Sequence, residues 1–217
     1  MTTTPSLDLR QLLRRAPVMP ILTIDDASQA PDLAKALIAG GLHVFEVLVR
    51  TPAALQAIEN IVRACPEAVV GAGTLLTAAD VDAAIDAGAA FGVSPGLTPA
   101  LAAAVRAKAF PFLPGVSSAS EVMAALESGF LEQKFFPAHG AAGVAGLKML
   151  GPVFPKVLFC PTGGITAADV PHYLKLGNCT TVGSSWVSPA ALIRERNWSA
   201  ITELAAQAVA IARELGN

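Results

Sequence analysis

The sequence predicts an α/β fold, a single (β/α)8 TIM barrel, from two observations. Eight short apolar runs with strand character recur along the chain, and most are separated by an Ala- and Leu-rich stretch with helical spacing. Strands that alternate with helices of this length indicate βαβ units and a parallel sheet. Eight such units in 217 residues lie near the small end of the size range of this barrel.

The runs and the starts of the helices can be placed in order. The runs are VMPILTI (18–24), HVFEVLVR (43–50), AVVGAGT (68–74), AFGVSPG (90–96), PFLPGVS (111–117), EQKFFPA (132–138), KVLFCPTGG (156–164) and TTVGSSW (180–186). Hydroxyl residues precede several helical patterns and are predicted to cap them: Thr51, Thr77, Thr98, Ser118 and Thr166. We expect one domain over residues 1–217, with an N-terminal helix and a C-terminal helical tail.

A doubly wound open sheet is the structural alternative. To hold a dinucleotide it would need a Gly-x-Gly-x-x-Gly turn after its first strand. The first run continues into TIDDASQ (23–29), which contains no glycine. The barrel is therefore preferred.

Composition limits the partners that we expect. The net charge of -2 gives no reason to expect nucleic acid or a polybasic membrane contact, and no apolar run reaches the length of about 18 residues typical of a membrane span. The start, MTTTPSLDLRQLLRRAP, does not resemble a secretory signal, because the apolar run that follows is closed by Asp25 and Asp26. We expect a cytoplasmic protein that binds a small molecule.

Neither the cysteines nor the histidines predict a metal site. The three cysteines have no paired spacing and are predicted to be reduced core thiols: Cys65, Cys160 and Cys179. His43, His139 and His172 lack ligand-like spacing with one another or with a cysteine. We predict no metal and no cofactor.

Polar residues gather late in the runs, where a barrel of this kind places its active site. Side chains alternate between the two faces of a strand, so Glu46 and Arg50 share one face and Lys134 shares a face with Phe136. If that face is the interior, an acid, a guanidinium and an amine meet in an apolar chamber. Thr74 closes the third run.

Lys134 is the residue that most needs an explanation, because lysine is rarely buried without a partner. Desolvation disfavours an ammonium, and the neutral amine that results can attack a carbonyl to form a Schiff base. Glu46 could then transfer the protons that such chemistry requires. A structural ion pair at the barrel rim is the alternative explanation for Lys134, Glu46 and Arg50. If Arg50 is instead functional, its planar guanidinium fork suits a carboxylate or a phosphate.

Two further segments predict an anion site. CPTGGIT (160–166) places two glycines at a strand end before a predicted helix start, where backbone amides can approach an anion. VGSSW (182–186) supplies amides and hydroxyls from the eighth strand. Phosphate sites after strands seven and eight recur in this fold, although both segments could also be ordinary tight turns.

Together these segments resemble a known family. The set, in this order, is EVLVR (46–50), GAGT (71–74), SPG (94–96), PGVS (114–117), KFFPA (134–138), CPTGGI (160–165) and GSSW (183–186). It is similar to the 2-keto-3-deoxy-6-phosphogluconate (KDPG) and 4-hydroxy-2-oxoglutarate (KHG) aldolases, from about Pro17 to Trp186.

The resemblance implies a metal-independent class I aldolase, usually trimeric, of the Entner–Doudoroff route. It implies that Lys134 forms the Schiff base, that Glu46 is the general acid/base and that Arg50 holds the substrate carboxylate. The other implied substrate-binding residues are Thr74, Pro95, Phe136, Thr162, Gly163, Gly164, Ser184 and Ser185. The chain departs from the family pattern EVTLR by having Leu48 in place of threonine, which bears on substrate preference rather than on the reaction class.

Four other functions remain to be weighed. A KHG aldolase would share Lys134 and Glu46 and differ only at the distal anion, and a 6-phosphogalactonate aldolase tends not to end this strand in Arg50. A phosphosugar isomerase or epimerase needs an acid/base couple, but no second carboxylate closes any of the eight runs. A non-catalytic sugar-phosphate sensor would keep the phosphate loops and could discard Lys134 and Glu46.

Overall fold

The computed structural model describes residues 7–139 and 142–216. Both limits of the predicted domain, residues 1 and 217, therefore lie outside the described residues.

The described residues form strands and helices that alternate along most of the chain. The strands are β1 (Val18–Leu22), β2 (Val44–Leu48), β3 (Val69–Gly73), β4 (Phe91–Val93), β5 (Phe112–Leu113), β6 (Gly115–Val116), β7 (Glu132–Phe135), β8 (Leu158–Pro161) and β9 (Val182–Ser184). The helices are α1 (Leu9–Arg14), α2 (Ala30–Ala39), α3 (Ala54–Ala64), α4 (Ala78–Asp86), α5 (Pro99–Ala107), α6 (Ala119–Glu127), α7 (Gly143–Val153), α8 (Val170–Leu174), α9 (Ala190–Arg194) and α10 (Trp198–Glu214). A short 3-10 turn, Ala27–Gln29, precedes α2.

All the strand pairs are parallel, as the alternation predicts. One sheet has the order β5-β4-β3-β2-β1-β9 and the other β6-β7-β8. The fifth predicted run is divided into β5 and β6 at Pro114, which has no amide hydrogen for a ladder. A parallel bridge between Thr162 and Gly183 joins the end of β8 to β9. The fold is thus α/β, with a curled parallel sheet.

Alternation along the strands separates two apolar clusters. On β1, Met19 and Ile21 belong to an inner cluster, whereas Val18 and Leu22 belong to the cluster under the helices. The inner cluster also includes Leu12 and Leu13 of α1. The N-terminal helix therefore packs into the interior at the amino ends of the strands.

Three of the five predicted helix caps are confirmed. The side chains of Thr77, Thr98 and Ser118 each accept a hydrogen bond from a backbone amide in the first turn of the helix that follows. Asp80 and Glu121 complete capping boxes with Thr77 and Ser118. These contacts fix the starts of α4, α5 and α6.

The other two predicted caps are wrong, because each hydroxyl has a different partner. Thr51 Oγ1 donates to the carbonyl of Ile24, and α3 begins three residues later at Ala54. Thr166 Oγ1 donates to Asp169 Oδ2, 2.6 Å away, in a turn that precedes α8. Within residues 7–139 and 142–216, no helix combines the length and apolar character needed to cross a membrane.

Candidate active site

Lys134 and Glu46 meet inside the sheet. Lys134 lies on β7 between Gln133 and Phe135, which face the opposite way, and its Nζ is 3.2 Å from Glu46 Oε1. Lys134 is 5% exposed and Glu46 is 0% exposed. The two side chains therefore form a buried ion pair, and the structure brings together the amine and the acid that the sequence placed on inward faces.

The room for Glu46 is made by a glycine on the neighbouring strand. Leu48 pairs with Gly73 in the ladder between β2 and β3, and a Cβ built at Gly73 would overlap Glu46 Oε1. In the same way, a Cβ at Gly71 would overlap the ring of Phe91. The glycines of β3 thus let a carboxylate and an aromatic ring fill space that other residues would occupy.

Only one oxygen of this carboxylate has a protein partner in the described part of the chain. Oε1 accepts a hydrogen bond from Lys134 Nζ, whereas Oε2 is buried without a hydrogen-bond partner there. Burying two charges costs several kcal/mol per ion, and apolar residues of similar size often give equal or better stability. Stability alone is therefore a poor reason for this arrangement, and an oxygen left free beside an amine suits proton transfer.

Arg50 lies just beyond the end of β2 and is held by Thr74. Its Nε donates to Thr74 Oγ1 at 2.8 Å. Thr74 has a φ of 67°, an unfavourable conformation for a β-branched residue that costs of order 1–3 kcal/mol. The strained backbone therefore brings the Thr74 hydroxyl to the guanidinium, whose planar donor fork remains suited to an anion.

A cavity of about 260 Å³ opens at this end of the sheet. Its lining residues are Ile21, Thr23, Leu48, Arg50, Lys134, Phe136, Thr162, Gly163, Gly164, Gly183, Ser184 and Ser185. Eight of the eleven predicted site residues are in this lining. Glu46 lies behind Lys134, and Thr74 lies behind Arg50.

Pro95 is the third predicted site residue, with Glu46 and Thr74, that does not line the cavity. It is half-buried, and its carbonyl carbon and oxygen lie where a Cβ on Gly115 would be. Gly115 in turn pairs with Lys134 in the ladder between β6 and β7. Pro95 therefore approaches the lysine through the backbone rather than through the cavity.

The glycine turn after β8 forms one wall of the cavity. Gly163 and Gly164 have φ values of 102° and 74°, which favour glycine. Within residues 7–139 and 142–216, neither of their amides donates a hydrogen bond, so both can bind an anion. The predicted helix start directly after the glycines is wrong, because α8 begins at Val170 and has five residues. The helix terminus therefore does not contribute at the glycines.

Hydroxyl groups line the cavity beside this turn. Thr162 Oγ1 donates to the carbonyl of Cys160 at 3.3 Å, and Ser184 Oγ donates to the carbonyl of Ile165 at 2.6 Å. Ser185 is exposed, and in the described part of the chain its hydroxyl has no hydrogen-bond partner. Ser185 is therefore the hydroxyl with most freedom to meet a ligand.

The three thiols are buried and unbonded to each other, which confirms the prediction of core cysteines. Cys160 pairs with Lys134 between β7 and β8, and burial raises the pKa of its thiol to about 12. It is therefore a neutral neighbour of the lysine. Among residues 7–139 and 142–216, no group of three His, Cys, Asp or Glu side chains could hold a metal ion.

The sequence reasoning missed three lining residues, Ile21, Thr23 and Gly183. The alternation along β1 could have found Ile21 and Thr23, because they share a face with Met19 and lie at the carboxyl end of the run. Gly183 could not be assigned without the fold. A Cβ there would lie 2.5 Å from Thr162 Oγ1, across the bridge between the ends of β8 and β9.

Comparison with known proteins decides the family. A family model described as "KDPG and KHG aldolase" matches residues 9–204. The chain belongs to this family. The resemblance seen in the sequence is thereby confirmed, and the family is named for aldolases, which are carbon–carbon lyases.

Characterised relatives match over nearly the whole chain. The KHG/KDPG aldolase of Escherichia coli K12 is 41% identical over 198 residues, 91% of this chain and 93% of its own length. A KDPG aldolase of Zymomonas mobilis ZM4, solved with 3-phosphoglycerate, is 47% identical with a TM-score of 0.90 over 96% of this chain and 98% of that chain. A KDPG aldolase of Legionella pneumophila, solved with pyruvate captured at low pH as a covalent carbinolamine intermediate, is 42% identical with a TM-score of 0.88 over 95% and 98%.

Proposed function

We propose that this chain is a class I aldolase that cleaves KDPG to pyruvate and glyceraldehyde 3-phosphate through a Schiff base on Lys134. The observation that carries this proposal is the buried pair of Lys134 and Glu46 at the floor of the cavity. The carbinolamine in the Legionella pneumophila relative supports it, since a carbinolamine is the adduct of an amine and a carbonyl that precedes a Schiff base.

Lys134 starts the reaction as the nucleophile. Glu46 Oε1, 3.2 Å from Nζ, first takes a proton from the Lys134 ammonium, and the neutral amine then attacks the C2 carbonyl of the keto acid. The proton held by Glu46 then passes to the hydroxyl of the carbinolamine, which leaves as water, and a protonated imine remains.

Cleavage then uses the positive imine as an electron sink. Glu46, through a water, removes the proton of the C4 hydroxyl, and the electron pair of the C3–C4 bond moves into the imine. Glyceraldehyde 3-phosphate leaves and an enamine remains. Protonation at C3 and hydrolysis of the imine release pyruvate and restore the amine of Lys134. The apolar surroundings strengthen the effect of the cationic imine on the breaking bond.

The remaining residues bind the two anionic ends of the substrate. Arg50, held by Thr74, is proposed to bind the carboxylate, and Phe136 covers Lys134 with its ring centroid 5.4 Å from Nζ. The phosphate is proposed to bind at the glycine turn and the end of β9, through Thr162, Gly163, Gly164, Ser184 and Ser185. Pro95 is proposed to support this site from behind Gly115.

A KHG aldolase is the second candidate, and the name of the Escherichia coli relative favours it as an additional activity. It would use the same lysine and acid, with a carboxylate replacing the phosphate-bearing end. The free amides of Gly163 and Gly164 favour the phosphorylated substrate. Arg50 argues against a 6-phosphogalactonate aldolase, and the Lys134–Glu46 pair argues against a sensor or an isomerase.

Release of pyruvate from each substrate, coupled to lactate dehydrogenase, tests the proposal. We expect kcat/KM for KDPG to exceed that for KHG. Ser185→Ala keeps the backbone amide but removes the hydroxyl. It should raise the KM for KDPG alone and so bring the kcat/KM values for KDPG and KHG closer together. Equal values for the two substrates, unaffected by this variant, would refute the phosphate site while leaving the lysine chemistry standing.

The wider setting rests on the resemblance. We propose a closed eight-stranded barrel in one domain over residues 1–217, acting in the cytoplasm in the Entner–Doudoroff route. A homotrimer is also proposed. Met149 and Val153 on α7 are 77% and 65% exposed, as expected for apolar residues that a second copy covers. Light scattering coupled to size-exclusion chromatography would measure the mass, and Met149→Glu should lower it.

A further inference from the structure

A second cavity lies at the amino ends of the strands, opposite the active site. Its volume is about 540 Å³, roughly twice that of the active-site cavity. Arg14, Arg15, His43 and Arg213 line it together with a set of apolar residues. It shares no lining residue with the active-site cavity, so nothing in the proposed catalytic cycle accounts for it.

The charge around this cavity is of one sign. Its lining contains three arginines and a histidine but no carboxylate. In the described part of the chain, Arg14, Arg15 and Arg213 form neither an ion pair nor a side-chain hydrogen bond that would neutralise their charge. The cavity is therefore a basic site on a chain whose net charge is -2.

Helix ends alone do not explain these charges. Arg14 and Arg213 lie in the last turns of α1 and α10, where a cation interacts favourably with the helix dipole. Each helix end carries roughly -0.5 of an elementary charge, so the two ends together offset about one guanidinium. Three guanidiniums line the cavity, and most of their positive charge remains without a counterpart.

The floor of the cavity is apolar. Leu12, Val18, Leu42 and Val44 contribute to this lining and are each at least 92% buried, whereas Pro17 and Val69 are only half-buried. Val209 and Ala212 of α10 close the side. A small inorganic anion would leave the half-buried Pro17, Val69 and Val209 in contact with water, whereas a ligand with an apolar body would cover them.

We propose that this cavity binds an organic anion that carries an apolar group, such as an aryl or alkyl phosphate or carboxylate. The arginine forks would bind the anionic group, and the half-buried Pro17, Val69 and Val209 would pack on the apolar part. Phosphate and carboxylate share this chemistry, and the choice between them is part of the test.

Binding of phenyl phosphate, benzoate, inorganic phosphate and benzyl alcohol can be compared by isothermal titration calorimetry. Phenyl phosphate or benzoate should bind more tightly than either inorganic phosphate, which lacks the apolar group, or benzyl alcohol, which lacks the charge. Hydrogen exchange read by mass spectrometry should show protection at residues 12–18 and 209–213. Protection confined to residues 160–166 and 182–186 would assign the binding to the active site and overturn the proposal.

A matched pair of double variants completes the experiment. Arg14→Ala with Arg213→Ala should weaken binding about tenfold or more, because a hydrogen bond to a charged group contributes at least that factor. Arg63→Ala with Arg194→Ala removes the same charge from the last turns of α3 and α9 and should leave affinity within about twofold, as expected for screened charges at a distance. Equal losses in both double variants, or no binding of any probe to the native protein, would show that the cavity is not a specific site.

Discussion

The two ends of the sheet interior are built from the same strands but differ in chemistry. Near the amino ends, Met19 and Phe91 belong to one buried apolar cluster with Leu12 and Leu13 of α1. Near the carboxyl ends, the same inward faces carry the Lys134–Glu46 ion pair below an open cavity. One end is filled with groups that favour burial, and the other contains charges whose burial is costly.

The residues that stabilise the fold therefore lie near the amino ends of the strands, and the residues proposed for the chemistry lie near their carboxyl ends. The packed layer contributes apolar burial and holds the strands in register, while the charged layer depends on that register for its geometry. Substitutions in the two layers should therefore have different signatures: a loss of folding free energy with retained activity in one, and a loss of activity in the other.

The largest effect is expected at the lysine. Lys134→Met keeps the length of the side chain but removes the nucleophile, and should lower kcat/KM by about 10³-fold or more in the coupled pyruvate assay. Lys148→Met, an exposed substitution of the same type on α7, should leave the rate within about twofold, as is usual for surface changes. Substantial activity in Lys134→Met would remove the Schiff base from the mechanism.

The same lysine tests the cost of the buried charges. Lys134→Met leaves Glu46 buried without its partner and should lower the free energy of unfolding by about 3–5 kcal/mol. Adding Glu46→Leu should restore the free energy of unfolding to the native value or above, while activity stays absent. Urea denaturation measures both variants, and a double variant that is no more stable than the single one would contradict this account.

A substitution in the apolar layer should lower stability but leave activity largely unchanged. Phe91 is 0% exposed, and Phe91→Ala should lower the free energy of unfolding by about 3–5 kcal/mol. Activity per folded molecule should be largely retained, because Phe91 does not line the cavity. Met123→Ala, at a 53% exposed position on α6, should change the free energy of unfolding by less than about 0.5 kcal/mol.

A smaller effect is expected at Gly73, which makes room for the Glu46 carboxylate. Gly73→Ala would place a methyl group on Glu46 Oε1 and displace the carboxylate, which should lower kcat about 10²-fold, a typical loss for a displaced acid/base. Gly96→Ala is the matched control, because among the described residues other than its two chain neighbours no atom lies within 4 Å of the added methyl group. Equal kcat values for the two variants would show that Gly73 does not position Glu46.

The smallest effect is expected at Arg50, the residue proposed to bind the substrate carboxylate. Arg50→Lys keeps the charge but loses the planar fork and the Nε bond to Thr74, so KM should rise about tenfold with a smaller change in kcat. Arg63→Lys, on the outer surface of α3, serves as the control and should leave KM unchanged. An unchanged KM in Arg50→Lys would mean that Arg50 does not bind the substrate.

The sequence predicted most of this arrangement because the period of two along a strand is a strong signal. It put Glu46, Arg50 and Lys134 on inward faces, and the glycine pair predicted a wall of free amides. The late position of these groups in each run, together with the barrel rule, located the cavity at the carboxyl ends of the strands.

What the sequence could not predict depends on contacts between distant segments. Gly73 makes room for Glu46 only because β2 and β3 pair in one particular register, and Gly183 faces Thr162 only across the bridge. The hydroxyl of Thr166 had a closer partner in Asp169 than in a helix start, so a local cap rule failed there. Pro95 lies against Gly115, the ladder partner of Lys134, and no spacing along the chain reveals this contact.

Lys134, buried beside Glu46, is proposed to act as the nucleophile. Reductive trapping tests it most directly: the native protein is incubated with pyruvate and sodium borohydride, digested, and mapped by mass spectrometry. We predict a reduced pyruvyl adduct on Lys134 and none in Lys134→Met. A folded protein that gives no adduct, or an adduct on Lys148 or Lys156 instead, would contradict the account.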